Sequence, residues 1–141
     1  MTERDYTFEV AVYLRGDALD PNHVSELLGV GPSKAQYKGE TRQTSTNQNF
    51  VTKIGLWALV AQSKSSDLFE LIDELTSKIK KSGVSLLEID GVQEAYADVF
   101  IAMDADEDGE GTCEFQLTPE NLKALDCLGI PTRFTVAVVK K

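Results

Sequence analysis

Apolar and polar residues alternate along several stretches of the chain, and strict alternation predicts half-buried β-strands. In residues 7–15 the apolar positions are Phe8, Val10, Val12 and Leu14, with polar residues between most of them. Residues 55–61 are apolar at nearly every position, which is typical of a central strand covered on both faces. The six predicted strands span residues 7–15, 55–61, 84–89, 96–103, 112–117 and 132–139.

A spacing of three and four between apolar residues predicts three helices. The longest spans residues 67–81, with the apolar stripe Leu68, Leu71, Ile72, Leu75 and Ile79. The other two share their start and stop signals, which are a capping residue, a proline at the first helical position and a later glycine. These signals are Asp20, Pro21 and Gly29 in the first copy, and Thr118, Pro119 and Gly129 in the second. The repetition suggests an internal duplication.

The order of the predicted elements is β-α-β-α-β-β-β-α-β. Three consecutive strands in the middle favour a predominantly antiparallel sheet, and the mixture of elements indicates an α+β fold. We therefore expect a sheet of five to six strands with three helices packed on one of its faces. At 141 residues the chain has the length of one domain, spanning residues 1–141.

Composition adds that the chain is globular, with 42% hydrophobic and 26% charged residues. The first five residues are mostly charged or polar and precede no apolar core of a secretory signal. No apolar run is long enough for a membrane span, so we expect a cytoplasmic protein that does not bind membranes. No cofactor motif is present, and no cofactor is predicted.

The net charge of −9 is distributed unevenly along the chain. Residues 1–83 carry a net charge of −1, whereas residues 84–141 carry −8. Such a surface repels nucleic acid and attracts a basic protein partner, although acidic residues also serve solubility alone. The charge argues against nucleic-acid binding and leaves a basic protein as the favoured partner.

Residues 31–55 lack any apolar periodicity and are predicted as a long polar loop. Basic and aromatic residues are interleaved there, a pattern that can bind an anion, although a loop without a ligand has the same composition. Trp57 follows the loop and is either a core anchor or a wall of such a site. The candidate ligand-binding residues are Lys34, Tyr37, Lys38, Glu40 and Trp57.

One stretch resembles a metal site: Asp104, Asp106, Asp108 and Gly109 match the first half of a calcium-binding EF-hand loop. The match fails at position twelve, where Phe115 replaces the bidentate glutamate. The flanking residues are predicted as strands instead of helices. Residues 104–114 are therefore either a solvated acidic hairpin or a weak calcium site. The chain has a single histidine and no recognisable catalytic constellation, so no enzyme activity is predicted.

Several motifs together resemble one bacterial family, the domain of unknown function 4279. They are Leu19-Asp20-Pro21, Leu28-Gly29-Val30-Gly31-Pro32-Ser33-Lys34, Tyr37-Lys38-Gly39-Glu40, Gly55-Leu56-Trp57, and the final helix from Leu117-Thr118-Pro119 to Leu128-Gly129-Ile130-Pro131. The resemblance implies a small bacterial protein without an established activity, from a family found near mobile-element or toxin–immunity genes. It supplies no catalytic residues. Residues 37–40 and Trp57 look like its signature, either as a shared site or as a shared packing feature.

The leading hypothesis is a non-enzymatic binding module, such as an immunity-like protein that binds a basic partner through its acidic C-terminal portion. The alternatives are a small-molecule or anion binder that uses residues 31–55 and, more weakly, a calcium-binding protein. The sequence leaves the oligomeric state open, a homodimer included.

Overall fold

The computed structural model describes residues 6–64, 68–104 and 114–139. Its elements are, in chain order, β1 Tyr6–Gly16, α1 Pro21–Leu28, β2 Lys34–Gln36, β3 Thr41–Gln43, β4 Asn49–Val51, β5 Gly55–Lys64, α2 Leu68–Lys80, a short 3-10 helix Leu86–Glu88, β6 Glu94–Asp104, α3 Pro119–Asp126 and β7 Thr132–Val139. The predicted α+β class is confirmed.

Five strands form the main sheet in the order β2-β5-β1-β6-β7, so β1 lies at its centre. The pairs β2–β5, β5–β1 and β1–β6 are antiparallel, which agrees with the predicted predominantly antiparallel sheet, although β2 itself was predicted as part of a loop. The pair β6–β7 is parallel, because α3 carries the chain back before β7 begins. Strands β3 and β4 form a separate two-stranded sheet.

The core lies between one face of the main sheet and the three helices. In register across the three central strands, Leu59, Val12 and Ala97 all lie in this face and are buried. The same apolar cluster includes Leu28 from α1, Ile72 from α2 and Leu125 from α3, along with further residues of each. The domain is therefore a two-layer sandwich, and the second face of the sheet (the open face) carries no helix among the described residues.

Both capped helices begin where the sequence predicts. The Asp20 carboxylate accepts two backbone N–H groups of the first turn of α1, and Gly29 ends that helix with φ +71°. In α3 the Thr118 hydroxyl and the Asn121 side chain form a reciprocal capping box. The two helices serve different connections, because α1 lies between antiparallel neighbours β1 and β5, whereas α3 joins parallel neighbours β6 and β7.

Two predicted strands are wrong. Residues 84–89 contain the 3-10 helix instead, with Leu86 and Ile89 buried three residues apart, a spacing that suits a tight helical turn better than a strand. In residues 112–117, the described part begins at residue 114 and has no regular secondary structure. Asp67, the predicted start of the second helix, lies outside the described residues.

The prediction of one continuous loop over residues 31–55 is also wrong, because this range contains three short strands joined by turns. Strand β2 pairs with β5, and β3 pairs with β4 around a turn where the Thr44 N–H donates to the carbonyl of Gln48 at 2.8 Å. Every residue of β3 and β4 is exposed, so these strands have no buried face and no apolar alternation.

Three glycines meet at the end of β1. Gly16 pairs with Gly55 across the sheet, and the turn at Gly91 packs against the backbone of both Gly16 and Ala18. A Cβ atom on Gly16 would overlap the carbonyl oxygen of Gly91, and one on Gly55 would lie 2.6 Å from the carbonyl oxygen of Gly16. We call this contact the glycine junction.

The lengths of the helices can be compared with the expectation that the chain contains no membrane span. The longest helix, α2, has 13 residues, and none of the helices in the described ranges combines the length and apolar character that a membrane crossing requires.

Candidate functional site

Residues 37–40 form a tight turn that is stabilised by a hydrogen bond between its own first and last residues. The Tyr37 N–H donates to Glu40 Oε1 at 2.8 Å, and Gly39 supplies the positive φ of +87° that the turn requires. Glu40 Oε2 accepts Nε and Nη2 of Arg42 at 3.0 and 2.8 Å. The Thr52 hydroxyl, buried beneath the turn, donates to the carbonyl of Tyr37 and accepts the N–H of Glu40.

The Tyr37 side chain connects this turn to the start of α1. Its hydroxyl donates to Asp20 Oδ1 at 2.7 Å and accepts Asn22 Nδ2 at 3.0 Å. The hydrogen bond from Tyr37 lowers the pKa of the Asp20 carboxyl and raises the pKa of the Tyr37 phenol. The N–H of Tyr37 and then the guanidinium of Arg42 lower the pKa of the Glu40 carboxyl.

The predicted site residues separate into three places. Tyr37, Lys38 and Glu40 share the turn, where Lys38 Nζ lies 3.6 Å from Asp17 in an exposed ion pair. Lys34 is exposed on β2 and pairs in register with Ala58 of β5. Trp57 is fully buried in the core, and its Nε1 donates to Ser25 Oγ at 3.0 Å. Hydrogen bonds hold the turn together while the side chains of Tyr37 and Lys38 stay exposed, and Trp57 offers no surface to a ligand.

The predicted calcium residues are described only in part. Asp104 is the last residue of β6, whereas Asp106 and Asp108 lie outside the described residues. Within the described ranges there is no group of three or more His, Cys, Asp or Glu side chains that could hold a metal ion.

The open face of the main sheet contains a hollow of about 260 Å³, which we call the sheet hollow. The strand register builds it, since Tyr13 lies between Ala58 and Tyr96, and Arg15 lies between Leu56 and Glu94. Gln36 from β2 and Ile54 from the turn before β5 close one side, with Gln36 Nε2 donating to the carbonyl of Ile54 at 2.9 Å. Its lining residues are Tyr13, Arg15, Gln36, Ile54, Leu56 and Tyr96.

Two aromatic rings of the sheet hollow and one neighbouring guanidinium are layered on the open face. The rings of Tyr13 and Tyr96 stack with centroids 5.1 Å apart, and the Arg133 guanidinium lies 3.7 Å from the centroid of Tyr96. Arg133 Nη2 also donates to Glu94 Oε1 at 2.8 Å. Burial, and then the charge of Glu9, raise the pKa of the Tyr13 phenol, which is therefore protonated at neutral pH.

Sequence reasoning did not identify the sheet hollow. Tyr13 and Arg15 occupy the polar positions of an alternating strand, which normally face solvent and need no further explanation. The available signal was a tyrosine flanked by small or aliphatic core residues in two separate strands, at Tyr13 and Tyr96. Only the strand register shows that the two tyrosines are direct neighbours.

A larger hollow of about 420 Å³ lies between α2, residues 83–86 and the end of α3. Its described lining residues contribute short hydroxyls, one aspartate and one lysine, but no arginine and no aromatic ring. The Thr76 hydroxyl donates to the carbonyl of Ile72 at 2.8 Å in its own helix. The smaller sheet hollow combines an arginine with two tyrosines and therefore has the more distinctive chemistry.

The outer strand β7 presents a row of apolar side chains, Phe134, Val136 and Val138, which we call the β7 row. The register with Val99, Ile101 and Met103 of β6 places the row on the helix side of the sheet. Each of its side chains is nevertheless about half exposed, at 50%, 50% and 49%. Phe115 stacks on Phe134 with ring centroids 6.3 Å apart and is itself 37% exposed.

Comparison with known proteins gives one match. The model of a family described as Domain of unknown function (DUF4279) matches residues 5–139. The chain belongs to this family. No curated protein and no solved structure matches the chain.

The match to this family spans the turn at residues 37–40, the sheet hollow and the β7 row. Its description attaches no activity to any of them. The function must therefore be argued from their geometry.

Proposed function

We propose that this protein acts as a binding module for a basic partner protein, which adds an extended segment to the outer edge of β7. The observation that carries the proposal is a strand edge that pairs with no other described strand, next to the half-exposed β7 row. Recognition by strand addition uses main-chain hydrogen bonds for affinity and the flanking side chains for specificity.

The two edges of the main sheet differ in how they are protected. Strand β2 forms one edge, has three residues and carries the exposed Lys34, and such short, charged edges discourage pairing with another chain. Strand β7 forms the other edge, has eight residues and carries a single charged residue, Arg133. That charge is engaged on the open face with Glu94 and Tyr96. Within the part of the chain that the structure describes, the β7 edge lacks such protection, which favours pairing with a partner.

The β7 row supplies apolar contact beside this edge. A strand added to β7 would place its own side chains next to Phe134, Val136 and Val138, as neighbouring strands do in any sheet. Phe115 extends the same surface through its contact with Phe134. Aromatic and aliphatic groups surrounded by a polar rim are the usual composition of a binding interface.

The charge around the edge favours a basic partner. Residues 84–141, which contain both β6 and β7, carry a net charge of −8. Asp104 lies opposite Val139 at the end of the β6–β7 pair, and Glu114 directly precedes Phe115. Complementary charge of this kind accelerates association and excludes acidic competitors.

The test measures binding of purified basic proteins encoded beside this gene, one at a time, to the wild-type protein and to two variants. Val136→Lys introduces a charge into the β7 row, and Leu87→Lys makes the same change at a 51% exposed residue of the 3-10 helix. We expect Val136→Lys to raise the Kd at least tenfold, which is about 1.4 kcal/mol, and Leu87→Lys to leave it unchanged. The association rate of the wild-type protein should fall as salt is added.

Three results would contradict the proposal. The first is a partner that binds wild-type protein and Val136→Lys equally well. The second is a wild-type homodimer that Val136→Lys converts to a monomer, which would assign the edge to a second copy. The third is strong hydrogen-exchange protection of the outward β7 amides in the isolated monomer, which would mean that the chain covers its own edge.

A further inference from the structure

Arg15 in the sheet hollow is half-buried, and its guanidinium has neither a hydrogen bond nor an ion pair with any residue in the described ranges. The acid opposite it in register is Glu94, whose Oε1 is bonded to Arg133 at 2.8 Å. A partly desolvated cation without a partner is unfavourable, and binding of an anion would relieve that cost. The planar fork of arginine matches the two oxygens of a carboxylate.

The walls beside Arg15 suit a flat, apolar group. Tyr13 and Tyr96 present stacked aromatic rings, and Leu56 and Ile54 contribute aliphatic surface to the same hollow. Among the described residues, neither phenol hydroxyl has a hydrogen-bond partner, so both can donate to a bound molecule. Tyr13 and Arg133 occupy the two faces of Tyr96, so an aromatic ligand would meet the edge of Tyr96 and could stack only on Tyr13. Such stacking adds to the contribution of the buried area.

Charge and size narrow the ligand class. The open face also carries Glu9 on β1, the strand that holds Arg15, and Asp98 on β6, the strand that holds Tyr96. In a protein with a net charge of −9, a single free arginine matches a singly charged carboxylate better than a dianionic phosphate. A hollow of about 260 Å³ is smaller than most pockets for drug-sized molecules, so the ligand is small.

We propose that the sheet hollow binds a small aromatic carboxylic acid, with the carboxylate on Arg15 and the ring against Tyr13 and Tyr96. This site lies on the open face, whereas the β7 row lies on the helix side of the sheet. The failure of one proposal in its experiment therefore leaves the other proposal unaffected.

The experiment titrates benzoate into the wild-type protein and two variants, with calorimetry for affinity and amide chemical shifts for location. Arg15→Gln removes the cation of the hollow. Lys34→Gln removes an exposed cation on the same face that does not line the hollow. We expect Arg15→Gln to weaken benzoate binding at least tenfold and Lys34→Gln to weaken it less than threefold. The amide shifts should cluster at Tyr13, Leu56 and Tyr96.

A ligand series on the wild-type protein tests the proposal without relying on any variant. Benzyl alcohol has the ring without the charge, and phenyl phosphate has a dianion in place of the carboxylate. Both should bind at least tenfold more weakly than benzoate. Wild-type protein that binds benzoate no better than benzyl alcohol, or not at all at millimolar concentration, would overturn the proposal. Arg15→Gln protein that is folded by circular dichroism and retains full affinity would do so as well.

Discussion

At the scale of single residues, one hydroxyl group joins two parts of the chain that are distant in sequence. Tyr37 donates to Asp20, which is already the capping residue of α1, and its own N–H is held by Glu40. Both carboxylates therefore have lowered pKa values, for different reasons. Asp20 depends first on the Tyr37 hydroxyl, and Glu40 depends first on a backbone N–H group.

These lowered pKa values predict a pH dependence of stability. Because the folded-state pKa values lie below the unfolded ones, both carboxylates stabilise the fold above their ordinary pKa, and this contribution is lost as the pH falls below about 4. Tyr37→Phe should raise the pKa of Asp20 toward its ordinary value and leave that of Glu40 low, since the N–H of residue 37 remains. Carboxyl-carbon NMR titration of both residues measures this directly.

Arg42→Gln provides the reciprocal control, because it removes the second cause of the Glu40 shift and does not contact Asp20. An unchanged Asp20 pKa in Tyr37→Phe would show that the hydroxyl contact does not control that carboxyl.

The candidate site was only partly predictable from single residues. Trp57 is fully buried, which fits its interpretation as a core anchor. The apolar residues on both sides of Trp57 in the sequence favour the same interpretation. Tyr37 and Glu40 were recognised as a motif, but no sequence pattern shows that their polar groups bind each other. The sequence does not show that Arg15 lacks a described partner. Glu94 lies opposite Arg15 but is bonded to Arg133, and Glu94 and Arg133 are 39 positions apart in the chain.

At the scale of elements, the periodicity of apolar residues predicted strands and helices correctly where one face of the element is buried. Strands β1, β5, β6 and β7 and all three helices lie within a few residues of their predicted bounds. Periodicity failed for β3 and β4, whose residues are all exposed, and for residues 84–89, where apolar residues contact the core from a 3-10 turn. Strand β2 was missed because three residues are too few to show alternation.

The capping box of α3 yields a prediction at this scale. Thr118→Ala removes the acceptor for the N–H of Asn121 and should lower the free energy of unfolding by about 1 kcal/mol. Thr118→Ser keeps the hydroxyl and should stay within about 0.5 kcal/mol of the wild-type protein. Urea unfolding followed by circular dichroism measures both. Equal losses in the two variants would mean that the methyl group, and not the cap, is responsible.

At the scale of the whole molecule, the glycine junction joins three segments that the sequence keeps far apart. Gly16 ends β1, Gly55 begins β5, and Gly91 precedes β6, and their backbones meet without side chains between them. The close approach lets the turn before β6 close over the end of the central strand.

The glycine junction predicts a large effect from one methyl group. Gly16→Ala directs a Cβ atom into the carbonyl oxygen of Gly91, which is backbone and cannot move without displacing its turn. We expect the free energy of unfolding to fall by about 3 kcal/mol. Gly31→Ala is the matched control, since no atom lies within 4 Å of its Cβ position and its φ is not positive. Its stability should be unchanged or raised by less than about 1 kcal/mol in thermal and urea unfolding.

The position of β1 at the centre of the sheet has a consequence for the order of events during protein synthesis. Its first partner, β5, begins about forty residues after β1 ends, and its second partner, β6, begins about forty residues after the start of β5. At ~5–20 residues per second, the middle strand waits ~2–8 s for its first neighbour. The nascent chain therefore carries an alternating, aggregation-prone strand with both edges unpaired, and slowing translation should increase its demand for chaperones.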